Sequence, residues 1–406
     1  MTHRLYYHDS FLYDFEAQVI RLETGPRPAV ELDQTAFYPT SGGQVFDSGW
    51  IVLPSGERLR ITEVAEDESS GSILHFLENP AALESGSRVR GLIDAGRRRD
   101  HMQQHSGQHV LSAAFLRLFE MPTVSFHMGA DSCSIDLETK ALSPQQVAEA
   151  ERLANEVVLE DRPVSIRFVS QEEAHTLGLR KIPPVERDQL RLIDIRDFDL
   201  TACGGTHVSG TGQIGSILLR KTEKVRQGWR VEFVCGLRAV ATARRDYAAL
   251  SEAAALFSSH IWDVPGQIRK SQEEARASRK AREAILEELA DLYASRMVSE
   301  TPESNGRQVV VRVFPDRDLA FIKLLGQRLC RQSAPVVALL GTNTPPAALV
   351  FAQSPGQPFD MNALMREALA KLGGRGGGSK DMAQGGPQDI QAIDRRLAEL
   401  ASRLRA

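Results

Sequence analysis

The stretch DHMQQHSGQHVLSAAFLRL, residues 100–118, divides this chain into two kinds of structure. Within it Val110, Leu111, Ala114, Phe115 and Leu118 recur at the spacing of a helix face, whereas the residues before it read as short strands. The same predicted helix carries His105 and His109, four positions apart and so on one face, where both can reach a single ion. No Glu follows His105, so the HExxH arrangement of a metalloprotease is not signalled. Taken alone, the histidine pair is as consistent with a structural role as with a metal.

A second stretch alters that balance. Cys203-Gly-Gly-Thr-His207 offers a thiolate and a further imidazole from what reads as a loop. Its two glycines let the backbone turn tightly or lie close to a ligand. Both motifs fall in one predicted domain, and three imidazoles with one thiolate form a zinc-type ligand set. The expectation is Zn2+ held by His105, His109, Cys203 and His207. His101 lies one turn before His105 and either supports the site, faces a substrate or is an ordinary surface histidine. His127 either faces the same pocket or is structural. Cys133, Cys235 and Cys330 sit in or beside apolar runs and read as buried small hydrophobes.

Working outward, residues 1–95 hold short strand-like runs such as 16–22 and 51–53, between turn clusters at 25–28 and 41–43. Many short strands and few helical runs predict a small β-barrel. Beyond the histidine helix, strands are predicted at 124–128 and 132–137. A helix then starts at Ser143 as N-cap, with Pro144 in its first position. Strands at 164–169 and 191–195 lead to the cysteine motif, and 214–220 with 230–235 form a closing pair. Residues 240–298 are rich in Ala, Glu, Arg and Leu and read as helix, broken near Asp263-Val-Pro265-Gly266. Alternating strands and helices follow, then a glycine-rich loop at 373–386 and a last helix. The fold class is α+β. Its expected segments are a barrel at 1–95, an α+β metal domain at 96–239, a helical linker at 240–300 and a small α/β domain at 301–406.

The chain has 406 residues, enough for two to four domains, and its 42% hydrophobic and 25% charged content is that of a soluble globular protein. The start, Met1-Thr-His-Arg, shows no signal pattern, and no apolar run is long enough to span a bilayer. Four cysteines without paired spacing argue against a disulfide framework, so a cytoplasmic location and no membrane partner are expected. A net charge of -4 gives no global case for nucleic acid. Charge is local instead: Arg97-Arg98-Arg99 runs into the histidine segment, and Lys221, Lys224, Arg226 and Arg230 follow the cysteine motif. Such clusters are either solvated faces or phosphate-binding patches.

With these residues in hand a family resemblance emerges. The two metal motifs resemble the zinc site of the alanyl-tRNA synthetase editing domain. The segment LDQTAFYPTSGGQVFDSG, residues 32–49, resembles the glycine-rich segment preceding that domain. The tail GGRGGGSKDMAQGG, residues 373–386, resembles the signature of the DHH-associated domain that ends the synthetase, although Ser379-Lys380 and Pro387 depart from its usual pattern. The order of the three is that of the synthetase. With no room for aminoacylation and tRNA-recognition domains, the chain is identified as resembling the freestanding alanyl-tRNA editing proteins of the long AlaX type, with a C-terminal DHH-associated domain.

The resemblance implies an aminoacyl-tRNA deacylase acting in trans on alanine tRNA mischarged with serine, with glycine a further substrate. A pocket shaped for alanine rejects the added hydroxyl of serine only by about a hundredfold, whereas a site built to bond that hydroxyl rejects alanine far more strongly. Zinc would either lower the pKa of a bound water or hold the substrate, and four protein ligands favour holding. The resemblance places Gln44 near the pocket and Thr123, with Ser125, at the serine side chain. Backbone amides of Gly204 and Gly205 would bind the ester carbonyl. Arg97 and Arg98 would meet acceptor-stem phosphates, and Arg375 and Lys380 the tRNA elbow. The helical segment 240–298 reads either as an intramolecular arm or as a dimer coiled coil, so that a homodimer through the helical or C-terminal region is one expectation, and no sustained heptads decide between them. The alternatives are editing of another aminoacyl-tRNA, since the threonyl system shares the metal pattern, and a non-catalytic zinc-stabilised tRNA-binding protein. A phosphodiesterase would need Asp-rich metal motifs, which the sequence lacks.

Overall fold

The computed structural model describes residues 2–406 apart from 68, 80–82, 178 and 180–188. It divides into two compact units, Met1–Glu252 and Ala253–Ala406.

The first unit opens with a closed six-stranded barrel, in the order Asp14–Glu23, Ala29–Leu32, Ile73–Leu77, Arg58–Glu66, Gly49–Val52 and Arg88–Ile93. Alternate residues point inward, so Phe15, Ala17 and Val19 from one strand meet Ile61, Ile73 and Val89 from others. The Phe15 ring lies where a side chain at its partner Gly91 would stand, 2.3 Å from an ideal Cβ. Glycine is therefore the residue that lets this small barrel close around an aromatic ring.

Asp94 ends the last barrel strand and begins the helix Ala95–Phe119, its carboxylate accepting from the amides of Gly96 and Arg97. The helix is buried on every side from His101 onward, apart from Gln103, as far as Phe115, as expected of an element at the centre of a fold. It packs on a four-stranded antiparallel sheet in the order Ile217–Val225, Gly228–Cys235, Cys133–Leu137, Thr123–Met128. At Gly107 the helix comes so close that an added Cβ would lie 2.3 Å from Cys235 Sγ. The helix Pro144–Leu159 joins the same core, and Ser143 and Gln146 form the reciprocal capping box that its sequence signals. A second antiparallel sheet of Val164–Val169, Leu190–Ile195 and Asp199–Ala202 delivers the cysteine motif from its last strand.

The second unit contains the 37-residue helix Val264–Glu300 and a six-stranded sheet. Its central strands Val336–Thr342 and Ala348–Gln353 are buried throughout. The glycine-rich tail, expected as a loop, is a pair of antiparallel strands, Gly374–Gly378 and Met382–Pro387. Side chains are excluded there: ideal Cβ atoms at Gly376 and Gly385 would each stand 2.6 Å from Leu369 Cδ1 on the helix Met361–Leu372. Glycine has low strand propensity, which conceals this pair from a sequence reading. No helix among the described residues is long and apolar enough to cross a membrane.

Candidate metal centre

His105 and His109 project from the central helix, and Cys203 and His207 from the segment after Asp199–Ala202. One donor atom from each of the four lies within 4.8 Å of the others. Cys203 Sγ stands 3.5 Å from His105 Nε2 and 3.3 Å from His207 Nε2. A tetrahedral zinc ion with bonds of about 2.0–2.3 Å separates its donors by roughly 3.3–3.8 Å, which the two Cys203 distances match, and the four residues together could hold such an ion.

The opposite nitrogens of the rings are also engaged. His105 Nδ1 donates to Gln44 Oε1 at 2.6 Å, His207 Nδ1 meets Ser106 Oγ at 3.1 Å, and His109 Nδ1 faces Asp199 Oδ2 at 3.5 Å. Such partners fix ring orientation and leave Nε2 of His105 and His207 turned to the thiol. Burial raises the Cys203 thiol, but the fields of His105 and His207 outweigh it and hold the group well below its ordinary range. Burial lowers His207 to about 3, against the opposing pull of the Cys203 thiolate. Metal binding requires the thiol deprotonated and the rings neutral, and these two directions favour that state.

Gln44 is fully buried and ties the site together. Its Oε1 also accepts from the Thr206 amide at 3.1 Å, and its Nε2 donates to Thr206 Oγ1 at 2.9 Å. It thus clamps the cysteine loop to the histidine helix from behind. Gln44, expected near the pocket, stands behind the ligands and does not line the cleft, its amide being spent on His105 and Thr206.

The cleft in front of the cluster has a volume of about 510 Å³ and is lined by Tyr38, Gly42, His105, His109, Thr123, Ser125, Gly204 and Gly205, among others. Thr123 Oγ1 donates to Ser112 Oγ at 2.7 Å, and Ser125 Oγ donates to Asp136 Oδ2 at 2.7 Å. Arg230 holds that carboxylate through Nε at 2.7 Å and Nη2 at 2.9 Å. The Gly205 amide donates to Cys203 Sγ at 3.4 Å, so its expected role towards an ester carbonyl is replaced by one towards the thiolate. A Cβ at Gly205 would lie 2.1 Å from His105 Cε1, which explains the glycine.

Arg98 requires the largest correction. It was expected at the surface against phosphates, yet it is 0% exposed. Its Nε lies 3.0 Å from both oxygens of Asp47, and its Nη1 donates to the Ser10 carbonyl at 2.8 Å. Arg97 is half-buried, donating to the Phe46 carbonyl at 3.1 Å and stacking over that ring. Arg375 and Lys380 are exposed in the second unit. His101 is buried and neutral, lowered to about 4 by burial, and is neither a ligand nor part of the cleft lining. His127 is exposed and also outside that lining. The reading of motifs missed Ser106, Ser112, Asp199 and the Asp136–Arg230 pair. Ser106 alone carried a local signal, standing next to His105.

Comparisons with known proteins match three segments of the chain to known domains. Residues 5–97 match the class II (A) tRNA synthetases, residues 190–231 the second additional domain of threonyl and alanyl tRNA synthetases, and residues 320–406 the DHHA1 domain. An alanine–tRNA ligase of Archaeoglobus fulgidus is 32% identical over 403 residues, which cover 97% of this chain and 43% of that protein. One from Pyrococcus abyssi is 30% identical over 412 residues, covering 99% and 44%. The alanyl-tRNA editing protein AlaX-L of Pyrococcus horikoshii is 28% identical over 415 residues, the full length of both chains. The chain is thus similar over its full length to an alanyl-tRNA editing protein and to part of the alanine–tRNA ligases. It spans 43–44% of the length of the two synthetases described above. In family terms, the second-additional-domain match contains Cys203 and His207, whereas Gln44 lies in the synthetase-like match and the glycine-rich strand pair in the DHHA1 match.

Proposed function

We propose that this protein hydrolyses the ester of alanine tRNA mischarged with serine, acting in trans with Zn2+ at the four-residue cluster. The observation that carries the reading is the juxtaposition of the cluster with two hydroxyls, Thr123 and Ser125, in one cleft. A zinc ion there supplies Lewis acidity and a fixed positive charge.

The chain's own residues do the rest. His105, His109, Cys203 and His207 already amount to four donors, so the protein's task is to position the aminoacyl group rather than to leave an open coordination place. Thr123, its proton given to Ser112, offers oxygen lone pairs to the hydroxyl of a seryl group. Ser125 does the same with its proton held by Asp136. Alanine would leave these acceptors unpaired, which is how a site selects a substrate by its hydroxyl. Gly204 lines the cleft with its backbone, and its amide is the remaining candidate donor to the ester carbonyl.

Full-length protein incubated with serine-, glycine- and alanine-charged alanine tRNA tests the proposal. Loss of serine at least tenfold faster than of alanine is expected, with Cys203→Ala abolishing it. Full activity in that variant would sink the metal-centred reading, and no deacylation by the wild type would leave a non-catalytic tRNA-binding protein.

A further inference from the structure

The basic cluster after the cysteine motif is not uniform. Lys221 pairs with Glu223 at 2.5 Å and Arg230 with Asp136 at 2.7 Å, so both are neutralised within the sheet. Lys224 and Arg226, at the hairpin between Ile217–Val225 and Gly228–Cys235, are exposed and make no ion pair among the described residues. A third unpaired cation joins them from the loop after Cys133–Leu137: Lys140 lines the same groove of about 570 Å³. One carboxylate, Glu138, lies on its rim. The hairpin is seated firmly on that loop, since a Cβ at Gly228 would lie 1.9 Å from the Leu137 carbonyl oxygen. The three cations are therefore presented by the end of one strand, the hairpin turn after it and the loop packed against that hairpin.

Strand register gives the groove its direction. Thr123 pairs with Leu137, Leu137 with Trp229, and Trp229 with Lys224. This ladder carries the chain from Thr123 at the cleft to Lys224 at the groove by way of Leu137, which is buried in the core beneath it. Three strand spacings separate the two, about 14 Å. We propose that Lys140, Lys224 and Arg226 bind the phosphodiester backbone of the RNA strand whose 3′ ester occupies the cleft. This inference rests on the functional reading above. The neutralised members of the cluster do not take part, because their charge is already met.

The test is binding of uncharged alanine tRNA to the full chain, followed by fluorescence anisotropy across a salt series, which needs no catalysis. Reversing all three charges (Lys140→Glu, Lys224→Glu, Arg226→Glu) is expected to weaken binding roughly tenfold or more and to reduce the slope of log K against log salt by about 2–3, at ~0.7–0.9 per phosphate lost. A triple Gln variant should fall between the two, and unchanged thermal melting with unchanged zinc content shows that the fold persists. In the deacylation assay the reversal should raise KM for seryl-tRNA far more than KM for 3′-seryl adenosine, which has no phosphate chain. Affinity and salt slope equal to wild type would overturn the proposal. If the wild type deacylates nothing, the functional reading fails, and the anisotropy result still judges the groove.

Discussion

At the scale of single residues, two side chains decide how the site should be understood. Gln44 orients the His105 ring and holds the Thr206 amide, so its loss acts through the metal and not through substrate. Gln44→Ala is expected to weaken zinc binding by about 10–100-fold, as removal of such ring-orienting partners does. Competition against a chromophoric chelator measures this, and an unchanged zinc Kd would show that Gln44 does not orient the ligand. Arg98 is the opposite case, a basic residue that reads as an RNA contact and is instead a buried ion pair with Asp47. Arg98→Ala leaves that carboxylate uncompensated and should cost about 3–5 kcal/mol of stability. Urea unfolding reads the loss, while the salt slope of tRNA binding should stay as in wild type; the reverse pattern would restore the surface reading. The two residues show where sequence stops being informative. Spacing picked out the four residues that gather into the candidate metal cluster, since two of them share a helix face and two share a loop. It could not show which way Arg98 points, because its partner comes from 51 residues earlier in the chain.

At the scale of elements, glycine is where sequence reading was weakest. Gly107 sits inside a helix, where it is locally unfavourable, and its reason appears only in the packing of that helix against Cys235. Gly107→Ala is expected to lose about 1–3 kcal/mol through overpacking despite the better helix propensity of alanine. Cys235→Ala removes the clashing sulfur, so the loss from Gly107→Ala should shrink in that background. Denaturation midpoints of the four proteins of this double-mutant cycle give the coupling directly, and additive effects would show that the two do not meet. The glycine-rich tail follows the same logic: its strands form because Leu369 leaves no room for side chains, a fact that propensity alone cannot supply. Ser143 and Pro144, by contrast, announced their helix correctly, because a cap is a local hydrogen bond.

At the scale of the whole molecule, the barrel makes stability sensitive to pH. His75 is wholly buried, its Nδ1 donating to the Val30 carbonyl at 3.1 Å and its Nε2 accepting from Thr35 Oγ1 at 2.8 Å. Burial lowers it from 6.5 to about 4. Below pH 6.5 the unfolded chain gains a proton that the folded chain refuses, so stability falls as pH drops towards 4 and levels off beneath it. The shift corresponds to an order of 3 kcal/mol when fully expressed. Urea titrations of chelator-treated protein between pH 7.5 and 4.5 should show this decline, and His75→Gln should make it shallower, the remainder coming from His101 and His207, which burial also lowers; an equal slope in the variant would remove His75 as a cause. The division of the chain at Glu252 and Ala253 is likewise a whole-molecule property, set by which residues touch and not by composition along the chain.

The sequence by itself determined most of the elements ahead of the glycine-rich tail, their order, and the four residues that could hold a metal. Each of these rests on periodicity or on spacing within a few residues, which the backbone translates directly into faces and turns. Only the tertiary structure decided what stands behind and beside those donors. Gln44 reaches His105 across 61 positions and Thr206 across 162, and Lys140 joins Lys224 and Arg226 in one groove through strand pairing. Burial, hydrogen-bond partnership and unpaired charge are properties of residues brought together from distant parts of the chain, and no local pattern encodes them.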